Sequence, residues 1–415
     1  MTPKSGKRYL GGLSLNVILV GLISFLTDAS SEMIVPILPL FLTEVLVAPM
    51  LIVGLLEGIA ESTASILKAV SGFWSDRMSR RAPFMTAGYS LSTVSKLLFA
   101  FSTIWQHVVG LKMLERVGKG IRSAPKDALL ADSSTPGTWG KVYGFHKAMD
   151  TAGAAVGVVI VLVLVGFLAL GYRTIFLLSA IPAIIAVILI FFIDETRTAE
   201  HKPKKKMEPL FAGFRRFPSE LKIFILAMGI LSVTSVMTSF LVILSAESGA
   251  TPVMVIIFYL GFNLVYAGFS LPAGTFSDKV GRYPVMLIGY GSLFAMFLVA
   301  ALCDAAWMAL LAFLLYGLAY ALTQGVQKAL VADIAPADLR GSALGMYNMA
   351  IGIAALPMAI TGGYLWGAYG AWATFMFGAL ISSIGLAILL WLGLKDGSCR
   401  FMIPCNNKLN RISRK

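Results

Sequence analysis

The sequence predicts an all-α polytopic membrane protein, with twelve transmembrane helices in two pseudo-symmetric six-helix bundles and both termini cytoplasmic. Three observations predict it. First, 58% of the 415 residues are hydrophobic and 13% charged, with a mean hydropathy of +0.82, whereas soluble domains carry roughly a quarter charged residues. Second, basic residues segregate between alternate loops. Twenty-four of the 34 Lys and Arg fall on one face and a single one, Arg173, on the other, which places the basic face in the cytoplasm. Third, the two halves of the chain repeat each other. The net charge of +13 would suggest nucleic acid in a soluble chain; here it marks cytoplasmic loops, and no soluble nucleic-acid-reading module fits in the sequence.

At about 20 apolar residues per crossing, the spans read in order as follows. The first, 13–43, follows Lys4, Lys7 and Arg8. It is too long for a signal peptide, is interrupted by Asp28 and Glu32, and shows no small-residue cleavage site, so it is expected to remain. The second, 50–74, carries Glu57 and Glu61 at the i,i+4 spacing of Asp28 and Glu32. The third is 84–104. The fourth, 106–132, is the most charged. On a helical wheel Lys112, Glu115, Arg116, Lys119, Arg122, Lys126 and Asp127 share an arc of about 140°, opposite Val109, Met113, Val117 and Leu129. The fifth, 140–168, sets His146 one turn before Asp150, and the sixth is 172–193.

A basic loop, 194–221, separates a first domain, 1–193, from a second, 222–394. It contains His201–Lys206 and an amphipathic stretch, Leu210–Phe217, expected to lie on the inner surface. In the second domain, span seven (222–245) crowds Ser232, Thr234, Ser235, Thr238 and Ser239 at its middle. Span eight (252–276) carries Tyr259, Asn263 and Tyr266. Spans nine (284–303), ten (306–333, with Gln324, Gln327 and Lys328), eleven (340–366) and twelve (371–394) precede a basic tail, 395–415. Cys303, Cys399 and Cys405 make neither a disulfide framework nor a Cys-x-x-Cys site.

The repeat is explicit. Gly72-Phe-Trp-Ser-Asp76-Arg77-Met-Ser-Arg80 matches Gly274-Thr-Phe-Ser-Asp278-Lys279-Val-Gly-Arg282, and Ala128-Leu-Leu-Ala-Asp132 matches Ala329-Leu-Val-Ala-Asp333. Repeats of equal orientation imply a pseudo-two-fold axis along the membrane normal and a site between the halves at mid-depth. The G-x-x-x-D-[RK]-x-x-R loops resemble the signature of the major facilitator superfamily, and Arg116-Val-Gly-Lys-Gly120 resembles its arginine motif on helix four. The resemblance implies alternating access by two rocking bundles, driven by a proton or another ion, with helices one, four, seven and ten lining the cavity. It also implies a cytoplasmic conformational latch at Gly72, Asp76, Arg77, Arg80, Gly274, Asp278, Lys279 and Arg282. The exporter motif G-x-x-x-G-P is matched by Gly153-Ala-Ala-Val-Gly157 only up to Val158. That pair reads either as close helix packing or as a trace of direction.

An ionisable group in a bilayer costs about 2.5–3.5 kcal/mol on insertion scales and is a functional hypothesis by default. Eight of the nine intramembrane Lys and Arg lie in the first half: Lys68, Lys96, Lys112, Arg116, Lys119, Arg122, Lys126 and Lys147. Arg116, Lys112, Lys119 and Arg122 form a basic cavity wall. Thr234, Thr238, Asn263 and Gln324 form a neutral hydrogen-bonding one, unless they bond back to their own helices. Such a cavity suits a small organic anion better than a cationic drug. Asp28, Glu32, Glu57, Glu61, His146 and Asp150 are the proton-coupling candidates, since a carboxylate between burial and a mobile cation can bind a proton in one conformation and release it in the other. Glu115, Lys126, Asp127 and Asp132 read as static salt bridges. His146 reads as a satisfied interior histidine or, with Asp150, as a proton relay.

No P-loop is present, so ATP is not the expected energy source and no cofactor beyond an ion gradient is called for. No His/Cys cluster suggests a metal, and neither G-x-S-x-G nor H-E-x-x-H supports an enzyme. The expected function is a proton-coupled secondary transporter of a small solute. It is expected to sit as a monomer in the plasma membrane (the inner membrane of a bacterium), with lipid and solute as its partners. The alternatives are a proton-antiport drug or metabolite exporter, an intramembrane enzyme acting on a lipid, and a receptor on a carrier-like fold.

Overall fold

In a bilayer a backbone polar group finds no water, so apolar runs fold as helices that satisfy themselves. The structure, a computed structural model, describes residues 8–9, 13–77, 81–133, 139–194, 216–232, 237–336 and 339–395, without the side chains of 8–9, 69–77, 131–132, 139–140, 340–341 and 395. The first half holds α1 (Leu15–Glu32), α2 (Met50–Arg77), α3 (Ala82–Phe99), α4 (Trp105–Asp132), α5 (Trp139–Gly166) and α6 (Tyr172–Ile190). The second holds α7 (Ser219–Ile230), α8 (Met237–Glu247), α9 (Pro252–Val280), α10 (Arg282–Ala301), α11 (Ala306–Ile334), α12 (Arg340–Tyr369) and α13 (Ala371–Lys395). A two-residue antiparallel pairing, Arg8–Tyr9 with Leu13–Ser14, precedes α1. The linker between Glu195 and Arg215, including His201–Lys206 and most of the amphipathic stretch, lies outside the described residues, as does the tail beyond Lys395.

Nine of the described helices are long and apolar enough to cross a membrane. Among those that are not, α4 carries too many charges and α7 and α8 are too short. The expectation of unbroken first and seventh spans is corrected. The α-helix of span one stops at Glu32; a turn follows, then Leu38–Leu40 and a π-helical Phe41–Val45. Pro36 and Pro39 are the cause, because each removes an N–H that a continuous helix would use. Span seven is α7 and α8, separated by a 3₁₀ turn at Leu231–Ser232 and by residues 233–236, which are not described.

Small residues set the closest helix approaches. A Cβ on Gly153 or Gly157 of α5 would run into the backbone of Phe25 or Ala29 on α1, so this glycine pair serves close packing. Gly153→Leu is therefore expected to overpack the α1–α5 contact by about 1–3 kcal/mol and lower the melting temperature in detergent. Gly144→Ala, on the same helix with open space around it, should leave the melting temperature unchanged.

The halves meet chiefly along α2 and α12 and along α5 and α9. In the first contact Gly54 and Gly58 lie against Ala359 and Leu356, Gly363 against Met50 and Leu51, and Gly352 against Ser65. Ser62 Oγ donates to the Gly352 carbonyl at 2.5 Å. The Leu38–Leu40 turn packs on α8, and one buried core runs from Met33–Leu42 through Met237–Leu244 into the second half. At the opposite, basic face a separate core contains Leu13, Val17, Met85, Leu130, Val142 and Ile190, all from the first half.

Candidate functional site

Helix α4 supplies the charges, and its turns send them to different neighbours. Lys112 Nζ pairs with Glu115 Oε2 at 2.9 Å, both nearly buried. Arg122 Nη1 donates to Ser92 Oγ at 2.6 Å, and its guanidinium lies 4.3 Å from the centre of the Tyr89 ring. Arg122 thus packs between α3 and α4 and is not among the residues lining the cavities described below. Between them, Arg116 makes no hydrogen bond or ion pair within 4.0 Å among the described residues, and its Nε is buried without a partner among them. Lys119 is exposed and within electrostatic reach of Asp28 and Glu61.

Besides the Ser62–Gly352 contact, two side-chain-to-side-chain hydrogen bonds cross between the halves among the described residues, each from a second-half hydroxyl to a first-half carboxylate. Ser239 Oγ donates to Glu57 Oε1 at 2.6 Å, and Tyr259 Oη to Glu32 Oε2 at 2.6 Å. Beside them lies a cavity of about 130 Å³, whose polar wall is Glu57, Glu61, Lys112, Arg116, Thr238 and Ser239. A second lobe, about 250 Å³, extends into the second half between Tyr290, Tyr320, Gln324, Gln327, Tyr347 and Asn348. Glu61 lines both lobes, so they adjoin at this residue. The structure thus brings Lys112, Arg116, Glu57, Glu61, Thr238 and Gln324 to one two-lobed space. Asn263 instead donates to the Tyr259 carbonyl of its own helix at 3.0 Å and lines neither lobe. Thr234 lies outside the described residues.

A second charged group sits on α1, α4 and α5. His146 Nε2 is 2.8 Å from Ser24 Oγ and 3.6 Å from Asp150 Oδ1, and Lys126 Nζ approaches the same Ser24 hydroxyl at 3.4 Å. Asp28 has Asp150, Lys119, Lys126 and Arg122 within electrostatic reach and makes no direct hydrogen bond among the described residues.

Sequence reading missed several participants. Lys96 is 1% exposed; its ammonium donates to Ser30 Oγ and Ser31 Oγ at 2.9 Å and to the Thr27 carbonyl at 3.3 Å, anchoring α1 beside Asp28 and Glu32. Ser239 was signalled only as one of a run of hydroxyls, and Tyr259 only as one of three polar residues of span eight. Gln327 donates to Tyr290 Oη at 2.7 Å and accepts from Tyr347 Oη, which makes a stiff wall for the larger lobe. No pattern in the sequence marked Tyr290 or Tyr347.

At the inner end of the second half, Gly281 takes φ +104°, a conformation open to glycine, and so turns α9 sharply into α10. Arg282 then pairs with Asp278 at 2.5 Å and Asp333 at 3.1 Å and donates to Ser277 Oγ at 2.6 Å. Lys279 is exposed and Gly274 faces open space. In the first-half loop, Arg80 and the side chains of Gly72, Asp76 and Arg77 lie outside the described residues.

A family model described as Major Facilitator Superfamily matches residues 20–260 and 223–398. The chain is 36% identical over 386 residues to an uncharacterized MFS-type transporter of Methanocaldococcus jannaschii, covering 92% of this chain and 95% of the relative. It is 24% identical over 393 residues to the multidrug resistance protein MdtG of Proteus mirabilis, covering 92% and 96%. Among solved structures, the nucleoside transporter NupG superposes with a TM-score of 0.74 at 15% identity, over 92% of this chain and 99% of that one. A bacterial homologue of the lysosomal transporter Spinster, in an inward-facing and unoccupied conformation, gives 0.73 at 15% identity, over 92% and 97%. At these identities the solved structures speak to the fold alone.

Proposed function

The chain belongs to the major facilitator superfamily, and from that premise we propose that this multi-pass membrane transporter is proton-coupled and carries a small organic solute, gripped by an anionic group, by alternating access. The observation that carries the reading is the state of Arg116. It is a cation set in a cavity wall between two rocking halves, with a buried Nε–H and no protein acceptor. A buried donor left unsatisfied costs about 1–3 kcal/mol, so an anionic group arriving from solution is favoured there. Asp28, Glu32, Glu57, Glu61 and the His146–Asp150 pair supply groups able to hold a proton. Two of them already take hydroxyls from the facing half, so their occupancy bears on how tightly the halves close. The Asp278–Arg282–Asp333 cluster fits the latch that the family motif implies.

The test is flux in proteoliposomes. A panel of di- and tricarboxylates, amino acids, chelators and cationic dyes identifies a transported solute. An imposed pH gradient should then drive its accumulation, and a protonophore should collapse it to equilibration. Accumulation indifferent to the gradient would overturn proton coupling. The likeness to a protein named for multidrug resistance favours a second reading, proton-driven export of a cationic compound; in the same vesicles it requires gradient-dependent movement of the dyes and none of the anions.

A further inference from the structure

The smaller lobe has four charged side chains on its wall, and the structure disposes of two of them. Glu57 takes the Ser239 hydroxyl, and Lys112 takes Glu115. Glu57 keeps its negative charge, since a neutral hydroxyl does not cancel it, so what remains without a direct partner among the described residues is one cation, Arg116, and one anion, Glu61. Among the described residues Arg116 has no ion pair or hydrogen bond, and its Nε is buried. The Glu61 carboxylate accepts no hydrogen bond and has no cation within 4.0 Å, among the described residues. The two feel each other's charge without touching. An orphan donor and an orphan acceptor on the wall of one cavity are complementary to a ligand that brings one of each.

We propose that the transported solute is amphoteric, with a carboxylate or similar anionic group held by Arg116 and an ammonium or similar cationic nitrogen held by Glu61, as in an α-amino acid or a small peptide. This deepens the transport reading above and rests on it for the meaning of the site. The volumes agree. A space of about 130 Å³ admits a head group of a few polar atoms, given about 10–15 Å³ per water-sized occupant on this measure. The neutral body then passes Glu61 into the larger lobe of about 250 Å³, where Tyr320, Gln324 and Asn348 offer hydrogen bonds and Met228, Leu231 and Ile351 offer apolar contact. The other charge lining that lobe, Lys328, is exposed, with Lys68 and Lys147 within electrostatic reach; this cluster attracts the anionic end without fixing it. A dicarboxylate would set a second negative charge against Glu61, and a simple amine would set a positive charge against Arg116. Like charges of this kind discriminate as strongly as the attractive pairs do.

The experiment is binding to the purified full chain in detergent, read by thermal shift and competition. The probes are the common α-amino acids and dialanine, each beside its des-amino and decarboxylated analogues, with succinate and a neutral sugar as further probes. At least one zwitterion should bind, and deleting either head group should weaken it at least tenfold, because a polar site rejects ligands that leave its groups unpaired. In Glu61→Gln the preference for the zwitterion over its des-amino acid should disappear. In Arg116→Gln the preference over the decarboxylated amine should disappear. Both variants keep side-chain size, and retained binding of the analogue certifies that each is folded. Binding of succinate or sugar in preference to every zwitterion, no zwitterion binding at all, or head-group selectivity unchanged by Glu61→Gln would each overturn the proposal. Binding needs no pH gradient. Zwitterion binding without gradient-driven flux would therefore sink proton coupling alone, and gradient-driven flux of anions only would sink the amphoteric site alone.

Discussion

Arg116→Ala is expected to abolish transport while the protein still inserts and purifies as a monodisperse species. The fold does not need this guanidinium. Among the described residues it touches no protein acceptor, and the adjacent Glu115 keeps its ion pair with Lys112 when the guanidinium is removed. Removing one partner of a buried charged contact costs about 2–5 kcal/mol, which at 1.4 kcal/mol per decade corresponds to a loss of roughly 30- to several-thousand-fold in kcat/KM. Arg116→Lys keeps the charge but loses the planar fork, so it should fall between. Arg122 is the contrasting cation. With its guanidinium on Tyr89 and Ser92, it contributes to packing, and its loss should register in stability before it registers in KM. Wild-type flux through Arg116→Ala would remove this residue from the site.

Much of the fold was legible because a bilayer makes hydropathy and loop charge nearly sufficient. Apolar runs bounded by polar breaks have one stable outcome there, and the two signature loops repeat almost residue for residue. The breaks inside spans one and seven were less legible. Pro36 and Pro39 stood in plain view, but an apolar run reads through a proline that a local turn can absorb. In span seven the α-helix ends in a 3₁₀ turn at Leu231–Ser232 with no proline to mark it.

The candidate site was legible in its residue types and not in their pairings. A helical wheel puts Lys112, Arg116, Lys119 and Arg122 on one stripe, yet an arc of about 140° is wide enough to face two neighbours. In the folded chain Arg122 meets α3, Lys112 and Arg116 line the cavity, and Lys126 reaches Ser24 of α1. Nothing local separates Arg122 from Arg116; the difference is that Ser92 and Tyr89 wait opposite the former. The hydroxyl–carboxylate bonds between halves join residues 182 and 227 positions apart, a relation that one sequence does not encode in any pattern. Lys96 was visible as an intramembrane cation, but its partners are two serines and a carbonyl of α1 rather than a carboxylate, so no charge complement announced it.

Asp28→Asn is expected to eliminate accumulation driven by a pH gradient while solute binding in detergent persists. Asp28 stands on α1 with cations on one side, Lys119, Lys126 and Arg122, and Asp150 on the other. It is not consumed by any hydrogen bond, whereas Asp150 has His146 beside it and Glu32 has Tyr259. A carboxylate so placed changes its balance of neighbours whenever α1 shifts against α4 and α5. A difference in proton affinity between two conformations is what couples a proton to the conformational equilibrium. Asparagine preserves the shape and the dipole but carries no exchangeable charge, so that coupling term vanishes outright. A fall of about 100-fold in gradient-driven uptake corresponds to roughly 2.7 kcal/mol of lost coupling, within the usual range for linked sites. Asp150→Asn should do less, because the His146–Ser24 contact still orders that end of α5. The measurement is initial uptake under an inward and an outward gradient, set beside thermal-shift binding of the same solute. Full gradient-driven accumulation in Asp28→Asn would move the proton site to Glu61 or Glu32 and leave Asp28 as a counter-charge to Lys119.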